Sequence, residues 1–465
     1  MPHHHTNPLM QKTAQMLKRA ALCALAAFVL ASPALSAVRS IPTPEQIEDY
    51  EKVDDATRVK LLIHLSRTGR QDLAATLLGR YPLQGKLAAN RTLFIQGLIL
   101  KADGDLTGAA EQFRAALAND PKLTLVRSEL AQTLVALEQD DSATHHLRLL
   151  AADAPTEQDA AGIRAFVDKV DARRPYRFNA YLAAAPSSNV NNGSSHSTVY
   201  SPLFGSNLTI GDDSRKTSGV GMAAGANAAF NKRLGNDFSF VAAANGEVRI
   251  YDESDFNTVS LSQSAELRYM FERGYLGFGG VSSQSLDDQT LALGYIGYGP
   301  RISARLNLSA KDTLTASSTY EWRDYSASSA ADGIAWMNDV AWTHAFNSAT
   351  NVTLSGGLDD VKLELAQASY DSWSAGLALY KELPHGITTS LTGEVKLSQF
   401  DDVNLLAGIV REDVRYVGGI GLTKRDLNLF GFAPEISYTY VRNTSNITMY
   451  DYDSHGIDIR LTKDF

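Results

Sequence analysis

From Tyr176 onward the chain alternates apolar with polar residues in runs too long for an ordinary soluble sheet. Phe238, Phe240, Ala242, Ala244, Val248 and Ile250 share one parity, and Ser239, Asn245, Glu247 and Arg249 the other. The next run repeats this, with Val259, Leu261, Ala265, Leu267, Tyr269 and Phe271 against Ser260, Ser262, Ser264, Glu266 and Arg268. Residues two apart on a strand point the same way, so each run has one apolar and one polar face. The runs cover about 9–15 residues, against five or six for soluble strands and about 9–11 for a tilted crossing of a bilayer. This predicts an antiparallel transmembrane β-barrel over residues 175–465.

Fourteen strands fit, near residues 176–184, 218–231, 237–251, 258–271, 275–284, 291–309, 313–325, 334–346, 351–365, 370–382, 387–398, 411–424, 430–442 and 453–465. If the segment before them is periplasmic, the first strand runs outward. The inner turns then become 232–236, 272–274, 310–312, 347–350, 382–386 and 424–429, all short. The longest connections, 185–217, 399–410 and 443–452, all fall outside, which is the asymmetry of outer-membrane barrels. A count wrong by one strand would mix the two sets. The chain closes with HGIDIRLTKDF, in which Ile457, Ile459, Leu461 and Phe465 share a face. Phe465 is the expected signal to barrel-assembly machinery.

Residues 38–174 have a different texture, rich in Ala, Leu, Gln and charge, with apolar spacing of three and four that predicts successive helices. Pro121 and Pro155 stand at an offset of 34, the length of a tetratricopeptide unit. At that offset Gly97 aligns with Ala131, Ala109 with Ala143, Phe113 with Leu147 and Ala116 with Leu150. A short tetratricopeptide-like solenoid with a peptide-holding groove is expected, a plain helical bundle being the alternative. Further upstream, Lys12, Lys18 and Arg19 precede the apolar stretch Ala20 to Leu30 and the small residues Ala31 to Ala37. That layout predicts an export signal over residues 1–37. Cys23 lies inside it, so the mature chain is expected to hold no cysteine and no disulfide.

The formal charge of −9 comes without a basic block, which argues against nucleic acid as a partner. No nucleophile elbow, glycine-rich phosphate loop or metal-spaced histidine pair occurs, so neither catalysis nor a cofactor or metal is expected. His145 and His146 are neighbours on a helix and point apart; His344, His385 and His455 fall near strand ends without an evident Ser or Asp partner. The polar faces instead carry doublets of opposite charge two residues apart: Glu247 and Arg249, Glu266 and Arg268, Glu321 and Arg323, Lys362 and Glu364, Glu394 and Lys396, Asp458 and Arg460. In a barrel these line the lumen. They either neutralise one another in a hydrated interior or form a mixed-charge wall that passes a polypeptide without gripping it. The acidic pairs Asp212–Asp213, Asp287–Asp288 and Asp401–Asp402 fall in outer loops, where solvation is the plain reading and cation-bridged contact with lipopolysaccharide the alternative.

The junction RPYRFNAYLAAAPSSNVNNGS, Arg174 to Ser194, resembles the first strand and Asn-rich motif of the Slam family, the surface lipoprotein assembly modulators. Ser188, Asn189, Val190, Asn191 and Asn192 stand where that family has Ser-Asn-Ile-Asn and a polar residue, while Ser187 replaces a frequent Asp. A small exported tetratricopeptide domain joined to a barrel of about 14 strands resembles the same family. The resemblance implies a translocator in the outer membrane of a Gram-negative bacterium. It would move a partner protein, a surface lipoprotein or a soluble haem-binding-type protein, to the cell surface, with its helical domain in the periplasm and no cofactor. Its other contacts would be the assembly machinery and outer-membrane lipid and lipopolysaccharide. The competing expectations are a polysaccharide exporter and a passive porin with a periplasmic docking domain.

Overall fold

The computed structural model describes residues 50, 53–252, 256–286, 293–326, 329–425, 427 and 432–462. The export signal, Phe465, and Asp287 with Asp288 lie outside the described residues, as does part of the 424–429 turn. Among the described residues seven α-helices come first: α1 (Asp55–Arg67), α2 (Gln71–Arg80), α3 (Ala88–Asp103), α4 (Leu106–Asn119), α5 (Thr124–Ala136), α6 (Asp140–Ala152) and α7 (Glu157–Asp171). Among the described residues no helix is long and apolar enough to cross a membrane.

The chain divides into two compact units, one holding residues up to Ala116 with Leu125–Gln139, the other Leu117–Thr124 with Asp140 onward. In the first, α1 begins at an Asp54 cap whose carboxylate accepts from the Thr57 amide at 3.0 Å. Leu61, Leu62, Leu65, Ala74, Leu78, Ile95 and Ile99 form its core. The small and large positions singled out by the 34-residue offset are buried, Ala109, Phe113, Ala116 and Ala131 among them. Gly97 carries the ring of Phe113 so closely that a Cβ there would lie 2.4 Å from it, so only glycine admits this helix crossing. One buried acid is enclosed: Glu129 accepts from Arg67 at 2.6 Å and Lys101 at 2.7 Å. Burial raises its pKa, but the two cations outweigh that and hold the carboxyl below its ordinary range.

The second unit contains α6, α7 and fourteen strands in one closed antiparallel barrel. The strands are β1 (Tyr176–Ala184), β4 (Gly221–Leu234), β5 (Phe238–Tyr251), β6 (Thr258–Phe271), β7 (Gly274–Leu286), β8 (Leu293–Asn307), β9 (Asp312–Tyr325), β10 (Gly333–Asn347), β11 (Thr350–Leu363), β12 (Tyr370–Leu383), β13 (Ile387–Asn404), β14 (Ile409–Lys424), β15 (Ala433–Ser445) and β16 (Tyr452–Thr462). Neighbours in sequence pair around the ring, and β1 closes it by pairing with β4 and β16, in register Tyr181 with Thr462 and Ala184 with Ile459. Apolar side chains such as Phe240, Leu267, Phe278, Trp336, Leu377, Leu391 and Ile459 stand exposed on the outer face. Such a continuous apolar belt far exceeds what a water-facing surface tolerates, and lipid is the solvent that suits it. Aromatic rings gather towards both edges: Phe238 against Tyr269 at 5.5 Å and Tyr298 against Trp322 at 5.9 Å.

Two expected loops differ. The ladder continues through Val403 with Val410 and Asn404 with Ile409, so the expected 399–410 loop is mostly strand. The long 185–217 connection holds a hairpin of β2 (Thr198–Ser201) and β3 (Ser206–Thr209), turned at Gly205 with φ +62°. Val199 and Ile210 beside it pack with Ala407 and Ile447, tying three long connections into one small apolar cluster.

Candidate functional site

The polar face of each strand makes contacts that skip a strand: Glu266 on β6 accepts from Ser303 on β8 at 2.7 Å, and Lys396 on β13 donates to Asp359 on β11 at 2.7 Å. Backbones two strands apart stand about 9.6 Å from each other, and short side chains bridge that gap only on the concave side. The polar faces therefore line the lumen. Each bridge needs room over the intervening strand. Gly277 supplies it beneath the Glu266–Ser303 contact, and Gly225 beneath the Tyr181 ring, whose hydroxyl donates to Glu247 across β4.

Most predicted doublets form. Arg249 Nε meets Glu247 at 2.6 Å, Arg323 meets Glu321 at 3.3 Å, Arg460 meets Asp458 at 3.1 Å, and Arg268 closes on Glu266. Two do not. Lys396 turns from Glu394 to Asp359, leaving Glu394 exposed with no ion pair among the described residues. Lys362 leaves Glu364 for Asp360, Asp371 and Asp401, the last at 2.8 Å, so Asp401 is ion-paired and not merely solvated. Longer links join the doublets around the wall: Arg249 reaches Asp458 at 3.7 Å across the β1–β16 seam, and Arg460 reaches Glu435 on β15 at 3.7 Å. The aromatic partners escaped sequence reading, with Arg268 over the Tyr275 ring at 4.2 Å and Arg460 over Tyr181 at 5.1 Å. Their signal was a tyrosine of lumen parity near each charge doublet. The wall is thus largely a net of paired charges, some open to water, as at Arg249 and Glu247, and some buried, as at Glu266 and Glu321.

The Asn-rich motif forms a clasp on the seam. Ser188 and His455 exchange two bonds of 2.9 Å, from the Ser188 amide to the His455 carbonyl and from the His455 amide to the Ser188 hydroxyl. Asn189 is buried and donates to the carbonyls of Gly193 at 2.9 Å and Asp453 at 3.0 Å. Asn191 donates to the carbonyls of Asp213 and Arg215 at 2.9 and 2.7 Å and accepts from the Gly193 and Thr217 amides. Asn192 takes φ +49°, a conformation that asparagine adopts more readily than most residues and that turns the chain here. The four motif residues thus pin the segment after β1 to β16 and to the approach to β4.

His344 departs from expectation, since its Nδ1 lies 2.8 Å from Asp312 across the β9–β10 ladder. No serine hydroxyl bonds to it among the described residues, and no group of three His, Cys, Asp or Glu is placed there to hold a metal.

The model of the surface lipoprotein assembly modifier family matches residues 176–465, the whole barrel. Surface lipoprotein assembly modifier 1 of Haemophilus influenzae is 21% identical over 388 residues, covering 80% of this chain and 76% of that protein. Surface lipoprotein assembly modifier 2 of the same organism is 22% identical over 383 residues, covering 78% and 76%. Among solved structures, a FadL homologue of Pseudomonas aeruginosa overlaps 69% of this chain and 93% of its own at 12% identity with a TM-score of 0.33, an overlap too slight to bear on function. With a closed lipid-facing barrel and a family match over its full length, the chain belongs to the surface lipoprotein assembly modifier family and has its role in the outer membrane.

Proposed function

We propose that this protein is an outer-membrane translocator that carries a partner protein, a surface lipoprotein or a secreted haem-binding-type protein, from the periplasm to the cell surface. The observation that carries this reading is the lumen wall. Many of its charges sit in opposite-sign pairs, Glu247 with Arg249 and Glu321 with Arg323 among them. A passing chain of either charge meets no unpaired field strong enough to hold it, whereas a selective solute pore concentrates one sign. The family is named for surface lipoproteins, which supports a lipid-anchored cargo. On this reading residues 1–37 are an export signal, 38–174 a tetratricopeptide domain that meets cargo in the periplasm, and 175–465 the route. Assembly machinery inserts the barrel by way of Phe465, and the outer loops face lipopolysaccharide.

The test is protease shaving of intact cells that express the protein together with neighbouring exported proteins, in a host lacking all of them. Surface exposure of one such protein, dependent on this chain, is the expected result. Unchanged exposure of every neighbour, with altered sugar export or solute uptake, would overturn it. The Asn189→Ala, Asn191→Ala double variant is expected to lose most export while still inserting.

A further inference from the structure

The helices α6 and α7 belong to the same compact unit as the barrel, and their attachments define a path. At the start of β1, Arg177 forms ion pairs with Asp171 at the end of α7 and with Asp141 at the start of α6, the latter at 3.5 Å. Just past the far end of α6, Asp153 accepts from the Ser348 amide at 3.1 Å, in the turn between β10 and β11. These two points face each other around the ring, with β4 to β9 between them on one side and β12 to β16 on the other. The return helix α7 brings Asp168 to Arg233 at the foot of β4, at 3.1 Å. Midway, His145 on α6 stands 4.0 Å from Glu382 on β12, and Arg148 and Arg164 lie within electrostatic range of Arg305 on β8.

A helix anchored at opposite points of a ring crosses its opening. Fourteen tilted strands about 4.8 Å apart close into a ring roughly 28 Å across, and inward side chains narrow the bore to roughly 18 Å. Helices of 13 and 15 residues are about 20 and 22 Å long, and a packed pair is roughly 20 Å wide. The hairpin matches the hole. We infer that α6–α7 is a plug that closes the short-turn mouth of the barrel at rest and must leave a rim anchor before a large solute or a chain can pass.

The anchors suit a releasable part. They are few: ion pairs at Arg177 and Arg233, of which the Arg233–Asp168 pair is exposed and contributes little by itself, and one hydrogen bond at the buried Ser348. Arg305 adds no anchor: it has no ion pair among the described residues and lies within electrostatic range of Arg148 and Arg164, each already paired with an acid of the hairpin.

Conductance of the purified full chain in planar bilayers tests this without any cargo, so its outcome is independent of the translocation reading. The wild type is expected to stay mostly closed. Arg177→Glu with Arg233→Glu, which sets carboxylates against Asp141, Asp168 and Asp171, should raise mean conductance at least tenfold. Adding Asp168→Arg and Asp171→Arg should restore closure, and Arg305→Glu alone should make openings rarer. A wild type that conducts as freely as the glutamate variant would overturn the plug. Should that variant not fold, Asp153→Cys with Ser348→Cys joined by a cleavable thiol cross-linker gives the answer. Voltage-forced openings should vanish on linking and return on cleavage, and openings that persist when linked would equally overturn it.

Discussion

The two compact units solve opposite solvent problems with the same residue types. In the helical unit leucines and Phe113 are enclosed and most charge lies outward; Arg127 and Glu129 are buried, the acid locked between two cations. In the barrel the large apolar side chains are the exposed ones, and acids and arginines point inward. Buried charge therefore means different things in the two places. Around Glu129 water is excluded and each lost partner leaves an unmet charge. Where the lumen charges are open to water, as at Arg249 and Glu247, water replaces a lost partner and a single pair is dispensable.

The largest expected effect tests enclosure directly. Phe113→Ala opens a cavity beneath Gly97 and should cost about 3–5 kcal/mol, read as denaturant unfolding of the helical unit with the barrel's heat-modifiable gel mobility unchanged. Leu377→Arg, near the middle of β12 and facing lipid, should cost about 2–4 kcal/mol in a folding titration into bilayers. If arginine there proves neutral, the outer face is not a lipid face. Third comes acid. The Glu129 carboxyl is held below its unfolded value, so its contribution is complete above the ordinary carboxylate range and is lost as pH falls through the depressed folded value. The helical unit should loosen on acidification by circular dichroism, and Glu129→Gln should remove that part of the pH dependence. Smallest is Arg249→Gln in the lumen, where the pair with Glu247 is about a third exposed; it is expected to change barrel stability by less than about 1 kcal/mol, and a loss as large as that of Phe113→Ala would mean the wall is dry there.

The strands were legible because a half-buried strand writes its two faces into sequence parity, and strand edges fell within a few residues wherever a turn was short. Parity says which face a charge takes but not which neighbour it meets. Lys396 and Glu394 share the lumen face, yet register with β12 and β11 brings Asp359 within reach. The β2–β3 hairpin was hidden in a long connection because strands of four residues leave almost no period to detect. Its one local sign was the turn Pro202–Gly205. Nor could the seating of α6–α7 be read, since Asp168 and Arg233 are ordinary surface charges until the chain closes. The motif residues were found by resemblance, and their physical role, a clasp, came only with the geometry.

That clasp also orders events in time. Asn189 bonds to the Asp453 carbonyl 264 residues away, so the contact cannot exist until nearly the whole chain has been threaded. Closing a loop of that length costs roughly 5 kcal/mol in chain entropy, which several hydrogen bonds at about 1 kcal/mol apiece just offset. Contacts between the most distant segments form last. Loss of an asparagine would thus undo only this last contact, leaving a barrel closed by its β1–β16 ladder with the segment after β1 loosely docked on it.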